Sequence, residues 1–199
     1  RAGILPGDYS AAAILKAEPV NRHENTSEDI AIKGGLFSGD KFIITDIPSL
    51  PWCHVIANEK FGTLVSDKAL GFTWAINSRE NKLTPWINDT ASDNRGEMLL
   101  VRVGGTIYDT VWGSTPEYGD GYARYSGKCG MLNTSVTVRI PSTGLWKTVE
   151  LSVENTGDEP MEMQAAYYTE PVLGVNRRNA RHTVAQWENG ALVLRNPFA

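Results

Sequence analysis

Nothing in this sequence resembles a membrane span. Its longest apolar run, Ala11-Ala12-Ala13-Ile14-Leu15, is far short of the roughly 20 residues a spanning helix needs. Arg1 leads into Gly3, Pro6 and Asp8 rather than the apolar segment of a signal peptide. Cysteine is scarce, with Cys53 and Cys129 far apart and in no C-x-x-C pair. A disulfide between them stays open, and two buried free thiols of a cytoplasmic protein are the simpler reading. The three histidines, His23, His54 and His182, are scattered, so each reads as a surface or satisfied group and no metal site is expected. Positive charge is not in excess: 19 Lys and Arg face 23 Asp and Glu, a net −4, which removes the electrostatic case for nucleic acid. The P-loop, the G-x-S-x-G elbow and H-E-x-x-H are also missing. Sequons at Asn25, Asn88 and Asn133 need no explanation beyond chance.

What is present is a globular composition, 41% hydrophobic and 21% charged over 199 residues, enough for one domain with a core. Residues 1–33 stand apart as an N-terminal extension. Asp8 can cap a short helix to Glu18, and Val20 to Asp29 is a polar loop. From Gly34 to the end the period is two. Leu132, Thr134, Val136, Val138 and Ile140 alternate with polar neighbours, as do Val149, Leu151 and Val153 in a strand spanning Leu145 to Val153. Met161 to Thr169 follows a turn. His182 to Glu188 and Ala191 to Arg195 flank Asn189-Gly190, a type I′ hairpin dipeptide. Further strands are expected over 41–46, 52–57, 62–66, 71–76, 97–103 and 106–112. This spacing, punctuated by 19 Gly and 10 Pro, predicts an all-β antiparallel sandwich over 34–199.

Between Pro51 and Asp93 aromatic and planar polar side chains crowd together. Trp52, Phe61, Phe72, Trp74 and Trp86 share the stretch with Asn58, Asn77, Arg79, Glu80, Asn81, Asn88, Asp89 and Asp93. Sugars are bound by this combination, with the pyranose face on a ring and hydroxyls on amides, carboxylates and guanidinium groups. On the residues alone, a core filled by the tryptophans with polar loops around it is the plainer reading. The acidic pairs Asp89 and Asp93, or Glu80 and Asp89, have glycosidase chemistry within reach, but turn chemistry is the plainer account. The same holds for Arg177, Arg178, Arg181 and His182, which read as a solvated loop before an anion site.

Three blocks of residues carry a resemblance. The first runs through Pro51-Trp52-Cys53-His54-Val55-Ile56-Ala57-Asn58, Gly71-Phe72-Thr73-Trp74 and Asn77-Ser78-Arg79-Glu80-Asn81-Lys82-Leu83-Thr84-Pro85-Trp86. The second is Tyr167-Tyr168-Thr169-Glu170-Pro171-Val172-Leu173-Gly174, and the third is Ala191-Leu192-Val193-Leu194-Arg195-Asn196-Pro197. Together they resemble the N-terminal sandwich of glycoside hydrolase family 94 (formerly glycosyltransferase family 36). The Asn77 to Trp86 form is most similar to the branch of cyclic β-1,2-glucan synthases and 1,2-β-oligoglucan phosphorylases, with cellobiose phosphorylase more distant. The resemblance implies an antiparallel β-supersandwich of the galactose mutarotase-like type. It further implies a longer enzyme that transfers a glucosyl unit to inorganic phosphate, the co-substrate, with no other cofactor. In that family the catalytic acid belongs to an (α/α)6 barrel following the sandwich, so no catalytic residue is expected in this chain. Arg79, Glu80 and Asn81 are then the expected substrate-binding residues. The expected partners are a β-glucan oligosaccharide, the barrel, and a second copy in a homodimer. Arg1 is no initiator, and the chain stops just after a strand-like run, so both ends read as cut and the sandwich as incomplete. The rival from another class is a stand-alone carbohydrate-binding sandwich.

Overall fold

The computed structural model describes residues 13–85 and 95–198. Three sheets, antiparallel apart from one parallel pair in the second, and a hairpin hold about half of them. The largest is an eight-stranded sheet. Its path runs β14 (Thr148–Asn155), β13 (Leu132–Arg139), β12 (Tyr122–Cys129), β11 (Thr115–Gly119), β5 (Lys41–Ile44), β4 (Gly35–Ser38), β3 (Ile30–Ile32), with β2 (Glu18–Pro19) added beside β12. A four-stranded sheet holds β1 (Ile14–Lys16), β10 (Thr106–Asp109), β9 (Glu97–Val103) and β15 (Met163–Thr169) in that order. A three-stranded sheet orders β6 (Cys53–Ala57), β7 (Phe61–Ser66) and β8 (Phe72–Ala75). The hairpin pairs β16 (Val184–Glu188) with β17 (Ala191–Arg195). Among the described residues no helix is long and apolar enough to cross a membrane.

The core lies where the large sheet faces the two smaller ones. Ile44, Tyr118, Ala123, Tyr125, Val136 and Val138 from the large sheet meet Ile56, Phe61, Val65, Leu70 and Leu99. Each Val, Leu, Ile or Phe among them contributes about 1.5–3 kcal/mol on removal from water. Two phenols tie the layers as well as fill them. The fully buried Tyr125 donates its hydroxyl to Ser66 O at 2.9 Å, and Tyr118 donates to Trp52 O at 3.0 Å. Of the tryptophans, Trp52 packs against the core and on Phe42 at 5.1 Å, half-buried Trp74 lies beside Phe72 at 5.0 Å, and Trp146 and Trp187 are exposed. The Trp74 ring also covers Gly62, where an added Cβ would sit 2.1 Å from Cζ2.

The antiparallel sandwich is therefore as the period-two pattern indicates, and most strands fall where the pattern puts them. Four differences have physical causes. No helix covers 14–18. Ile14–Lys16 instead pairs in parallel with β10, and Glu18–Pro19 with β12, because open sheet edges satisfy this segment's backbone better than an isolated short helix would. The described helical residues are a 3-10 turn at Arg177–His182, which takes the start of the strand expected from His182. In β14, Val149 and Leu151 pack on the core but Val153 is 38% exposed, at the end where the opposing layer no longer covers it. Neither cysteine is in a disulfide, yet only Cys129 is buried, since Cys53 lies on the edge strand β6. The residues 8–12 of the expected helix lie outside the described residues, as do Trp86, Asn88, Asp89 and Asp93.

Gly71 marks one point the backbone cannot give up. Its φ is +105°, and a Cβ there would stand 1.8 Å from the carbonyl oxygen of Leu64, a ladder group of the neighbouring strand. Gly71→Ala is expected to lower unfolding free energy by more than about 2 kcal/mol in urea titration. A loss within experimental error would show that the β7–β8 connection is less constrained than its geometry indicates.

Candidate functional site

After β8 the chain leaves the sheet through Ile76, a β-branched residue at φ +63° and 73% exposed. A left-handed conformation is costly for such a side chain, by about 1–2 kcal/mol. The Asn77 side chain then holds the turn, with Oδ1 accepting from the backbone N–H of Arg79 at 2.8 Å and of Glu80 at 2.9 Å. Asn81 closes it, its N–H donating to Asn77 O and its carbonyl accepting from Ala75 N. Arg79 and Glu80 project into solvent from the tip, paired with each other at 3.1 Å with side chains 87% and 57% exposed. Asn58, another candidate polar residue, is used structurally. Its amide donates to Pro141 O and Gly144 O, and its Oδ1 accepts from Lys60 N and Phe61 N.

Directly after this loop, Lys82 forms a two-way backbone bridge with Gly174, at 3.1 and 2.9 Å, and Leu83 O accepts from Val172 N at 2.9 Å. The Lys82 ammonium donates to Arg79 O and to Val175 O, clamping the loop to the segment 172–175. Asn196 donates to Leu173 O at 3.0 Å, so the residues after β17 arrive at the same place. Leu173 is itself left-handed, at φ +47°. Between these segments lies a groove of about 530 Å³ lined by Glu80, Asn81, Leu173, Val175, Asn179 and Asn196, among others. Two of the three expected site residues, Glu80 and Asn81, thus line a shared concavity, while Arg79 lies outside its lining and is tied to it by the pairing with Glu80. Leu173, Asn179 and Asn196 join them across long separations in sequence. No local signal marks Asn179, which sits in the 3-10 turn. In that turn Arg177 pairs with Glu170, while exposed Arg181 donates from Nε to Nε2 of half-buried His182 at 3.1 Å.

Beneath the loop is a buried polar knot. Thr84 Oγ1 and Thr73 Oγ1 both donate to Glu97 Oε1 at 2.6 Å, and Lys147 and the Tyr167 hydroxyl donate to Oε2. Lys147 Nζ also reaches Thr73 Oγ1 at 2.8 Å. The side chains of Lys147 and Glu97 are 8% and 3% exposed. Burial pushes the Glu97 carboxyl up, but the Lys147 charge and the hydrogen bonds outweigh it and hold the carboxyl below its ordinary value. Burial and the adjacent Glu97 charge push the Tyr167 hydroxyl far up. Among the described residues no group of His, Cys, Asp and Glu converges in a way that could hold a metal ion.

The family model of the glycosyl hydrolase 94 supersandwich domain matches residues 42–199. The chain belongs to this family. A cyclic β-(1,2)-glucan synthase, NdvB, of Rhizobium meliloti (strain 1021) is 32% identical over 162 residues, 75% of this chain and 6% of that protein. An N,N'-diacetylchitobiose phosphorylase of Vibrio furnissii is 23% identical over 155 residues, 70% of this chain and 19% of that protein. The chain thus spans a small part of these relatives. Within the supersandwich the three resemblance blocks, apart in sequence, meet at the Lys82–Gly174 bridge and Asn196.

The buried knot predicts an acid-dependent stability. Glu97 has a depressed pKa in the folded state, so its contribution is full above the unfolded value of 4.5 and is lost as pH falls through the lower folded value. Lys147→Met leaves the carboxylate uncompensated and is expected to cost about 3–5 kcal/mol at pH 7 by urea unfolding. The cost should shrink at pH 4, where Glu97 is more readily protonated in the variant. A pH-independent cost would mean that Glu97 does not carry its charge in the folded protein.

Proposed function

We propose that this chain is the sugar-facing N-terminal sandwich of an inverting glycoside phosphorylase acting on β-linked glucans. In this reading Glu80 and Asn81, with Arg79 paired to Glu80, hold the glycan where the sandwich meets an (α/α)6 catalytic barrel of the same longer protein. The supporting observation is the convergence of distant segments on one groove, flanked by the two strained residues Ile76 and Leu173. Strain of this kind persists where the surroundings enforce it, and it clusters at functional sites. The relative named for a cyclic β-(1,2)-glucan favours β-1,2-linked glucose as the sugar.

In the proposed reaction, inorganic phosphate attacks the anomeric carbon with inversion. The glycosidic bond breaks, a carboxylic acid protonates the leaving oxygen, and α-glucose 1-phosphate departs. The described residues supply binding rather than that acid. Glu97, a buried carboxylate, has both oxygens taken by four donors inside the fold. Glu80 is exposed and paired with Arg79, which suits it to accept from sugar hydroxyls.

Incubated with phosphate and β-1,2-glucooligosaccharides, the chain alone is expected to release no glucose 1-phosphate. In the longer protein, Glu80→Ala and Asn81→Ala should each lower kcat/KM by about 1–3 kcal/mol in transition-state free energy, with melting temperature unchanged. Unchanged kinetics with a lowered melting temperature would make the loop a structural clamp and reject the sugar-contact reading.

A further inference from the structure

The outer face of the large sheet, turned away from the core, holds a second groove, of about 450 Å³, unrelated to the loop site. Its floor is two cross-strand rows. In one, strand pairing aligns Glu117, Arg124, Thr137 and Glu150 across β11, β12, β13 and β14. In the next, the same pairing aligns Thr115, Ser126, Ser135 and Ser152, a hydroxyl from each of the four strands. Arg139 stands at one end over the Tyr122 ring at 5.0 Å, and Lys41 of β5 stands beside Glu117 at 3.7 Å. The segment 20–23 makes the wall. Val20 N donates to Ser126 O at 3.3 Å, and His23 is pinned to Asp29 at 2.7 Å.

We propose that this groove binds a neutral oligosaccharide, as a site separate from the loop site and independent of it. Three features select that class. Sugar hydroxyls both donate and accept, and the rows present hydroxyls, carboxylates and a guanidinium side by side. Of the four cations at the groove, Lys41 and Arg124 are already turned to Glu117 at 3.7 and 3.4 Å and Arg139 lies over the Tyr122 ring, which leaves Arg22 set against Glu150 and gives an anionic chain no surplus of uncommitted positive charge. A peptide finds no purchase, because β11, β12 and β13 have strands on both sides and offer no free backbone for strand addition. The five strands from β5 to β14, spaced about 4.8 Å apart, span about 19 Å, the length of about four linked pyranose rings.

The test is amide chemical-shift mapping on the chain with neutral β-1,2- and β-1,4-linked glucotetraoses, with glucose and tetragalacturonate as controls. A tetraose should shift Ser126, Ser135 and Ser152, and glucose should do so at least about tenfold more weakly. Ser135→Trp, which fills the groove from a surface position, and Glu150→Ala should each weaken these shifts about tenfold or more. Shifts confined to residues 76–82 and 173–179, equal shifts with tetragalacturonate, or no response to any tetraose would each overturn the proposal. Shifts here with none at the loop would support this groove while removing the loop reading.

Discussion

One buried ion pair governs how the layers of this protein fit together. Lys147 enters from the turn before β14, Glu97 begins β9, and Thr73 and Tyr167 come from β8 and β15. A charge taken from water costs several kcal/mol, and the knot is tolerable only because every oxygen of the carboxylate is met. That requirement is geometric. Shift any contributing strand by one residue and a donor turns to the opposite face, leaving a buried charge unpaired. The hydrophobic core between the layers would accept many sliding arrangements of Val, Ile and Leu, whereas the knot accepts few.

The loop that carries Glu80 and Asn81 stands on this base. Thr84, which donates to Glu97, is two residues beyond Lys82, and Lys82 fixes the loop to Gly174. Tyr167, another donor to Glu97, opens the block that continues to Gly174. Both walls of the groove are thus tethered to one carboxylate. The strained conformations of Ile76 and Leu173 are sustained by the rigid sheets on either side rather than by local preference.

Much of this was legible in the sequence, for reasons that separate residue by residue. Leu132 to Arg139 reads as a strand because its face alternates without interruption, and Asn189-Gly190 reads as a turn because asparagine and glycine accept φ of +49° and +82°. β12 escaped notice although Ala123, Tyr125 and Cys129 do alternate inward, since Gly127 and Ser126 dilute the pattern. β11 is likewise masked by Pro116 and Gly119. The exposed polar run Arg79, Glu80 and Asn81 could be picked out by its composition. Its partners Asn179 and Asn196 could not, because nothing local records that residues a hundred positions away close the same groove. Glu97 and Lys147 are ordinary charged residues in sequence, and only the assembled layers make them a pair.

The unequal placement of the two cysteines has a practical side. Burial raises the Cys129 thiol to about 11, which leaves almost no thiolate near neutral pH, and its sulfur is sealed beneath the sheet. Cys53 is open to solvent on an edge strand. A maleimide dye added to the folded protein therefore has one address. Stoichiometric tagging comes without mutagenesis, and a second equivalent of dye reacting reports that the sandwich has opened.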